Sequence, residues 1–398
     1  MKTADIVIVG AGIVGLALAL ELIKRDPGQK ILVLEKESAL GRHSSGRNSG
    51  VLHSGIYYPE NSLKAKVCAE GAQEMAAFCE EHALPIKRIG KVVVPTSEKD
   101  DTLLDLLYRR GQSNGATVEL IDEQTLHRIE PNARTASGRA LHSPRTAVVD
   151  PLAILEKLSS ELTKQGVEIL TGQEVRAIDP SRSILETNSD KISFGHLYNA
   201  AGLYADKLAR FFGVGEKYTI LPFKGIYYQL DKASGIQVNG LIYPVPDLSV
   251  PFLGVHVTKA VTGNIYLGPT AVPAFGRENY SGLAGAGISE ALGIGLRLFR
   301  QYASNNQGFR TFAHEEGLRF FKSNFAEAAS ALVPKLRPVH LLRSAKVGMR
   351  AQLLDKDKGE LVMDFVVEKG ENSTHILNAV SPGFTSAFSF SRFALDQV

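Results

Sequence analysis

The chain has 398 residues, more than one hydrophobic core usually serves, so two domains are expected. Apolar residues make up 44% and charged residues 22%, both close to the average of globular proteins, which excludes a disordered or fibrous chain. The formal net charge of +3 is too small to indicate nucleic-acid binding, and no basic run or zinc-finger spacing accompanies it.

The N-terminal fifty residues predict a dinucleotide-binding unit. A β-branched run, "DIVIVG", predicts a buried strand, and "LALALELIKR" predicts a helix. Between them Gly10, Gly12 and Gly15 have the spacing G-x-G-x-x-G, which suits a tight turn, close approach of a pyrophosphate and packing of helix on strand. A second strand, "KILVLEK", ends in Glu35, whose carboxylate could accept from ribose hydroxyls. The alternative is a glycine-rich turn that binds nothing, and the unit does not separate NAD from FAD.

The stretch "NSGVLHSGIYYP", residues 48–59, places His53 among glycines and serines. It holds too much glycine for a helix and too many apolar residues for an ordinary surface turn. A flat cofactor lying against the backbone, with a titratable imidazole beside it, accounts for both features. The alternative is a histidine that is hydrogen-bonded in the core and has a structural role.

Taken together, these motifs resemble the FAD-dependent L-2-hydroxyglutarate dehydrogenases and oxidases, within the D-amino-acid-oxidase-like flavoprotein superfamily. The resemblance begins with "VIVGAGIVGLALALEL", "VLEKE" and "HSSGRNSGVLHSGIYYP". Arg47 and Thr270 depart from it, at positions where the family is expected to have histidine and asparagine. The resemblance continues in order through 90–96, 198–209, 221–230, 243–258, 263–280, 348–355 and 377–388.

The resemblance implies an α/β protein in which a Rossmann-like FAD-binding domain carries an inserted substrate domain with a mainly antiparallel sheet. Strand-like segments such as "KVVVPT", "KGIYYQL" and "NIYLGPT" agree with such a sheet, and 98–115 and 281–335 read as helical. The FAD-binding domain is expected to combine 1–88, 146–215 and 340–398, and the substrate domain 89–145 and 216–339.

The activity implied by the resemblance is oxidation of L-2-hydroxyglutarate to 2-oxoglutarate by hydride transfer to N5 of FAD. Electrons would pass to a quinone or to oxygen. One alternative is the same fold acting on another small substrate, such as a D-amino acid, sarcosine or glycerol 3-phosphate. Another is a non-catalytic FAD-binding protein.

The cofactor site is expected to join the glycine loop to segments that approach it from elsewhere in the chain. One is the turn "SPGFTS", 381–386, which precedes a helix whose N-terminus would favour a negatively charged flavin. The expected FAD-binding residues are Gly10, Gly12, Gly15, Glu35, Lys36, Ser45, Asn48, Ser49, Gly50, Val175, Ala201, Gly202, Pro382, Gly383, Phe384 and Thr385.

For the chemistry, His53 is the expected base, because imidazole titrates near neutrality. His256 is the second catalytic candidate; it lies on a strand face that could be either the pocket or the solvent side. The candidates for holding the substrate are Lys224 and Arg350 as cations, with Arg277 as a weaker one, and Tyr57, Tyr58 and Tyr243 as hydroxyl donors. A surface role for each cation, and strand packing for each tyrosine, are the alternatives.

Residues 291–343 carry eight Lys or Arg against three Glu, with apolar pairs beside the basic residues, as in "GLRFFKSNF". This pattern suits a helix lying on an anionic membrane, so the protein could be cytoplasmic and peripheral on the inner face of the cytoplasmic membrane. The alternative is a set of amphipathic helices with a basic outer face. Two cysteines, Cys68 and Cys79, fit a reducing compartment, and the scattered histidines predict no metal site.

Overall fold

The computed structural model describes residues 1–282 and 284–397. These residues form ten α-helices, most of them with one buried face: α1 Ile13–Arg25, α2 Leu63–Glu81, α3 Asp101–Ser113, α4 Glu123–Ile129, α5 Pro151–Lys164, α6 Ala205–Ala209, α7 Ile288–Ser304, α8 Phe309–Arg319, α9 Lys322–Ser330 and α10 Ala387–Asp396. None of these helices is both long enough and apolar enough to cross a bilayer.

The strands of the same described residues form three sheets. They are β1 Lys2–Val9, β2 Ile31–Leu34, β3 Val51–Leu52, β4 Ile86–Arg88, β5 Lys91–Val94, β6 Glu119–Asp122, β7 Arg139–Ser143, β8 Ala147–Val149, β9 Glu168–Leu170, β10 Val175–Asp179, β11 Ile184–Thr187, β12 Lys191–Asn199, β13 Tyr218–Leu230, β14 Leu241–Pro244, β15 His256–Lys259, β16 Ile265–Gly268, β17 Val272–Pro273, β18 Leu341–Asp355, β19 Glu360–Leu361, β20 Val366–Gly370 and β21 Ser373–Asn378.

The first sheet is built around parallel strands, in the order β9, β2, β1, β12, with β21 pairing beyond β12. Strand β1 is central, and its second half, residues 6–9, is wholly buried, which explains the continuous run of Ile and Val there. Helices α1, α2, α5 and α10 pack over one face of this sheet around a single apolar cluster. This arrangement brings the C-terminal ends of β1, β2 and β12 to one edge.

The second sheet is antiparallel except where β14 runs parallel to β5, as the sequence predicts for an inserted sheet domain. Its longest pairing joins β13 to β18, from Tyr218 opposite Asp355 to Leu230 opposite Leu341. The third sheet is small and has the order β3, β8, β4. Along the sequence its strands lie between strands of the other two sheets. The α/β fold class is therefore confirmed.

One expected domain boundary does not coincide with a boundary between sheets. Residues 340–398 are expected in the FAD-binding domain, whereas β18 and β19, within 341–361, pair in the second sheet. The physical reason is that the alternation of a single strand does not reveal its partner, and only the long-range pairing with β13 decides it. The remaining division into domains stays a prediction.

Candidate active site

The glycine loop after β1 leaves no room for side chains at two of its three glycines. Gly10 has φ of +107°, and a Cβ there would lie 2.5 Å from the carbonyl oxygen of Ala200. A Cβ on Gly15 would lie 1.9 Å from the carbonyl oxygen of Gly10. Gly12 is the N-cap of α1 and offers no capping side chain. The start of α1 therefore presents backbone N–H groups to an anion, as a pyrophosphate site requires.

Two further groups hold this loop in place. The Glu35 carboxylate, at the end of β2, accepts from the backbone N–H of Ala11 at 3.1 Å and of Glu37 at 3.0 Å. The Ser45 hydroxyl accepts from the N–H of Ile13 at 3.0 Å. Both residues were expected at the cofactor site, and both lie within hydrogen-bonding distance of the loop. A carboxylate at this strand end suits ribose hydroxyls, which can donate to it.

Lys36 lies in a polar network beside the loop. Its ammonium contacts the carboxylates of Glu37, at 2.5 Å, and of Glu278. His43 also contacts Glu37, at 2.9 Å, and Glu37, His43 and Glu278 are close enough together to share a metal ion. Because the ammonium of Lys36 already pairs with both carboxylates and halves their charge, a metal ion would have to compete with it, and we assign no metal to this network.

A cavity of about 280 Å³ opens from the start of α1 and reaches into the second sheet. Its wall includes most of the sequence-predicted residues near the flavin end, and also Tyr227, Phe252 and Glu316, which the sequence did not single out. Arg47 and Thr270, the two positions that depart from the family pattern, line it as well. The predicted residues on the wall are Gly12, Ser45, Asn48, Ser49, His53, Gly202, Tyr243, His256, Arg350, Pro382, Gly383, Phe384 and Thr385.

His53 is held by its backbone while its imidazole faces the cavity. Its N–H donates to the Thr385 hydroxyl at 3.1 Å, which donates to the carbonyl of Val51 at 3.2 Å, and the Cys68 thiol donates to the carbonyl of His53 at 3.3 Å. Nδ1 of His53 is buried without a hydrogen-bond partner among the described residues. Burial, with a smaller effect of the positive charge of Lys91, lowers the pKa of His53 to about 3. The imidazole is therefore neutral at physiological pH and keeps a lone pair on one ring nitrogen.

His256 presents a second neutral imidazole to the same cavity. Its Nδ1 donates to the carbonyl of Gly254 at 3.0 Å, so Nε2 keeps the lone pair. The ring stacks on Tyr243 with the centroids 3.9 Å apart. Burial lowers the pKa of His256 to about 3, although the bond to Gly254 opposes this shift. The sequence did not decide whether the strand face that carries His256 points to the pocket or to solvent, and in the structure it points to the pocket.

Arg350 is a cation on the cavity wall. It lies on β18 opposite Phe223, its guanidinium donates to the carbonyl of Pro251, and it stands 5.0 Å from the centre of the Phe252 ring. Burial lowers its pKa, but a guanidinium stays charged at any physiological pH. Such a group can bind a carboxylate with two parallel hydrogen bonds.

Two expected cations are placed elsewhere. Lys224 does not line the cavity; its ammonium donates to the Asn279 side chain at 3.0 Å, whereas its strand neighbours Phe223 and Gly225 line the wall. The strand alternation therefore turns it to the opposite face. Arg277 is buried against Asp206, at 2.6 Å, and against Glu290 at 3.1 Å, so its charge is already paired.

Several other expected residues support the site from behind the wall. Gly50 has φ of +73°, and a Cβ there would meet the carbonyl oxygen of Val149. Ala201 follows the wall residue Ala200, and Val175 and Ala201 both pack against one apolar cluster beneath the first sheet. Tyr57 is buried, and neither its hydroxyl nor that of Tyr243 has a partner among the described residues. Lys91 was missed altogether; a lysine opening the apolar run "KVVV" was the signal that could have found it.

Comparison with known proteins places this geometry in context. Residues 5–396 match the family described as FAD dependent oxidoreductase (DAO). The chain is 38% identical to L-2-hydroxyglutarate dehydrogenase of Indibacter alkaliphilus, over 97% of this chain and 96% of the relative. It is 36% identical to the mitochondrial L-2-hydroxyglutarate dehydrogenase of Homo sapiens, over 99% of this chain and 88% of the relative.

Solved structures show the same fold at lower identity. L-alpha-glycerophosphate oxidase from Mycoplasma pneumoniae, in a structure with FAD bound, has a TM-score of 0.78 at 22% identity, over 99% of this chain and 94% of that one. Glycine oxidase from Geobacillus kaustophilus has a TM-score of 0.72 at 17% identity, over 100% of this chain and 94% of that one.

Gly15→Ala should weaken FAD binding about tenfold or more, because overpacking against the Gly10 carbonyl costs about 1–3 kcal/mol and displaces α1 from the loop. The measurement is the FAD-to-protein ratio by absorbance, followed by FAD titration of the stripped protein. Gly295→Ala in α7 is the matched control, since a Cβ there meets nothing within 4 Å, and it should keep wild-type FAD content. Full FAD occupancy in Gly15→Ala would contradict this account of the loop.

Proposed function

The chain belongs to the FAD dependent oxidoreductase family and, within it, to the L-2-hydroxyglutarate dehydrogenases, and from that membership we propose that it oxidises L-2-hydroxyglutarate to 2-oxoglutarate. It is an FAD-dependent oxidoreductase, and its cofactor is FAD. The observation that carries the substrate proposal is the cavity itself, in which two neutral imidazoles and the guanidinium of Arg350 meet beside the glycine loop.

The residues present fit FAD. Gly10 and Gly15 make a cradle that a Cβ would fill, and the backbone at the start of α1 would hold the pyrophosphate. Segments 44–49 and 379–385 would hold the ring system along the cavity wall. FAD, when bound, accepts the two electrons and the hydrogen that leave C2 of the substrate.

Within this frame His53 is the proposed base. It would accept the proton of the substrate hydroxyl, because it is neutral and the residue lines the cavity. The Thr385 hydroxyl accepts from the backbone N–H of His53 at 3.1 Å. This hydrogen bond ties the segment that carries the imidazole to the turn before α10. His256, with a lone pair on Nε2, is the second candidate for the same proton.

Arg350 is proposed to bind one carboxylate of the substrate. It lines the same cavity as His53, His256 and Tyr243, and its positive charge lowers the pKa of both histidines. A fixed guanidinium would orient the substrate so that its hydroxyl meets the base. Lys224, which faces away, has no part in this arrangement.

Electron transfer onward is proposed to occur at a membrane surface, with a quinone as the acceptor and oxygen as the alternative. Helix α7 exposes Ile288, Leu292, Leu296 and Phe299, whose spacing places them on one face of the helix. Leu318, Phe320 and Phe321 are also exposed, at the end of the neighbouring α8. Basic residues such as Arg297 and Arg300 flank this apolar face, a combination that suits insertion into the headgroup region of an anionic membrane.

Anaerobic L-2-hydroxyglutarate should bleach the absorbance of the bound flavin within the mixing time of a stopped-flow experiment or within seconds. The D enantiomer should leave the flavin oxidised, because its single C2 hydrogen would point away from the ring when its hydroxyl and carboxylate are held in the same way. D-amino acids, sarcosine and glycerol 3-phosphate are the comparison substrates. Faster bleaching by one of these than by L-2-hydroxyglutarate would replace the proposed substrate.

His53→Ala should retain FAD while the rate of flavin reduction by L-2-hydroxyglutarate falls about 100-fold or more, as expected for loss of a general base. Stopped-flow absorbance measures the rate and the visible spectrum reports the FAD content. His82→Ala, at the end of α2 and outside the cavity, is the matched control and should reduce its flavin at the wild-type rate. Near-normal reduction in His53→Ala would return His53 to a structural role.

Leu292→Glu should weaken binding to anionic liposomes about tenfold or more. The substitution removes a leucine side chain that would insert into the bilayer, a contribution of about 1.5–3 kcal/mol, and it adds a carboxylate that the anionic lipids repel. Leu292 is 71% exposed, so the fold and the FAD content should not change. Met363→Glu makes the same kind of change at another exposed site and should float with the liposomes like the wild type. If the wild type itself stays wholly in the soluble fraction, the membrane proposal is wrong.

A further inference from the structure

Lys91 is a buried cation without a counterion. It opens β5, its side chain is 1% exposed, and its ammonium has no hydrogen-bond partner among the described residues. No described carboxylate forms a salt bridge with Lys91 or shifts its pKa. Burial lowers that pKa, and the thiol of Cys68 is the one described side chain that raises it. Burying an unpaired ammonium is costly, so a residue of this kind needs a reason to be there.

Its surroundings place it directly behind the active site. The ammonium lies 4.7 Å from the centre of the Tyr57 ring and 5.4 Å from that of Tyr243. Tyr243 in turn lines the cavity and stacks on His256. Lys91 is therefore separated from the cavity by an aromatic wall, and its charge acts through a region that excludes water.

The other titratable groups around Lys91 come from five parts of the chain, and none of them is a carboxylate. They are His53 and Tyr57 of the segment after β3, Lys64 and Cys68 of α2, Tyr243 of β14, His256 of β15 and Arg350 of β18. Lys64 differs from Lys91 in having the carboxylate of Asp364 nearby, which offsets its charge. The region behind the aromatic wall is thus rich in basic groups, and their charge can act on an anion in the cavity through Tyr57 and Tyr243.

We propose that Lys91 makes the cavity select a dicarboxylate over a monocarboxylate. Arg350, on the wall, meets one carboxylate, and the ammonium of Lys91 behind Tyr57 and Tyr243 stabilises the second negative charge at a distance. Lys91 is a positioning residue in this scheme, since Tyr243 stands between it and the substrate. The inference deepens the proposed function, because it explains how a five-carbon diacid would be distinguished from a monoacid of the same length.

The same arrangement predicts a linkage between proton binding and anion binding. Burial lowers the pKa of Lys91 to about 7 when no anion is present. A dianion in the cavity favours the charged amine and raises that pKa, so the dianion binds best below about pH 7 and more weakly as the pH rises above it. His53 and His256, with pKa values of about 3, do not titrate in this range, whereas Lys64, with a pKa of about 7, does.

The test uses two keto acids that cannot reduce the flavin, 2-oxoglutarate and 2-oxovalerate, which share the five-carbon chain and differ in the second carboxylate. Their dissociation constants on the oxidised FAD enzyme are measured from changes in the flavin spectrum. Wild type should prefer 2-oxoglutarate, and Lys91→Met should reduce this preference about 10- to 100-fold, as loss of a charge at this distance implies. Lys91→Arg should keep most of it.

Lys87→Met, which removes an exposed lysine on the neighbouring strand β4, is the matched control and should keep the wild-type preference. The preference of the wild type should also weaken between pH 6.5 and pH 9, and this pH dependence should persist in Lys64→Met. The wild-type measurement decides the question if Lys91→Met fails to fold with FAD.

Three results would each overturn the role of Lys91. They are a wild type with no preference for 2-oxoglutarate over 2-oxovalerate, a wild-type preference that does not change with pH, and a Lys91→Met enzyme that retains the full preference. Turnover of L-2-hydroxyglutarate is measured separately. An enzyme that selects 2-oxoglutarate through Lys91 but is not reduced by L-2-hydroxyglutarate would refute the proposed function and leave the charge selection standing.

Discussion

The close approach of α1 to the end of β1 is the constraint on which the rest of the site depends. The carbonyl of Gly10 occupies the space that a Cβ of Gly15 would fill, and the carbonyl of Ala200 occupies the space beside Gly10. With no side chains in the way, the start of α1, the end of β2 with Glu35 and the end of β12 meet at one edge of the first sheet. A nucleotide can then lie across backbone groups of three strands, and in the proposed function its flavin end would reach the cavity beside His53.

Desolvation shapes the other half of the site. The cavity wall and the residues behind it bring together Lys64, Lys91, Arg350 and two histidines, and burial is the largest cause of the lowered pKa of each of them. The histidines respond by losing their protons and become candidates for a base, whereas the guanidinium keeps its charge. A site that combines a charged guanidinium with neutral imidazoles binds a negatively charged substrate better than a positively charged one. This argues against free amines as the main substrates.

The parts of this site that could be predicted were those with local signatures. The spacing of Gly10, Gly12 and Gly15 with Glu35 is a pattern over a single βαβ unit, and His53 stands out because glycine and serine surround it. The errors concerned cations. Lys224 and Arg277 carry the same charge as Arg350, but one turns to the far side of β13 and the other pairs with Asp206. Lys91 was missed because a lysine in a strand normally points to solvent.

By itself, the sequence determined the dinucleotide-binding unit, the α/β class with an inserted antiparallel sheet, and the family, because these depend on residue types at short, regular spacings. The tertiary structure alone decided which charged groups reach the cavity, that β18 joins the second sheet, and that Lys91 lies buried between two tyrosines. The physical reason is that a side chain's facing and its ionisation depend on strand register and on burial by residues distant in the chain. Neither quantity is encoded within one segment.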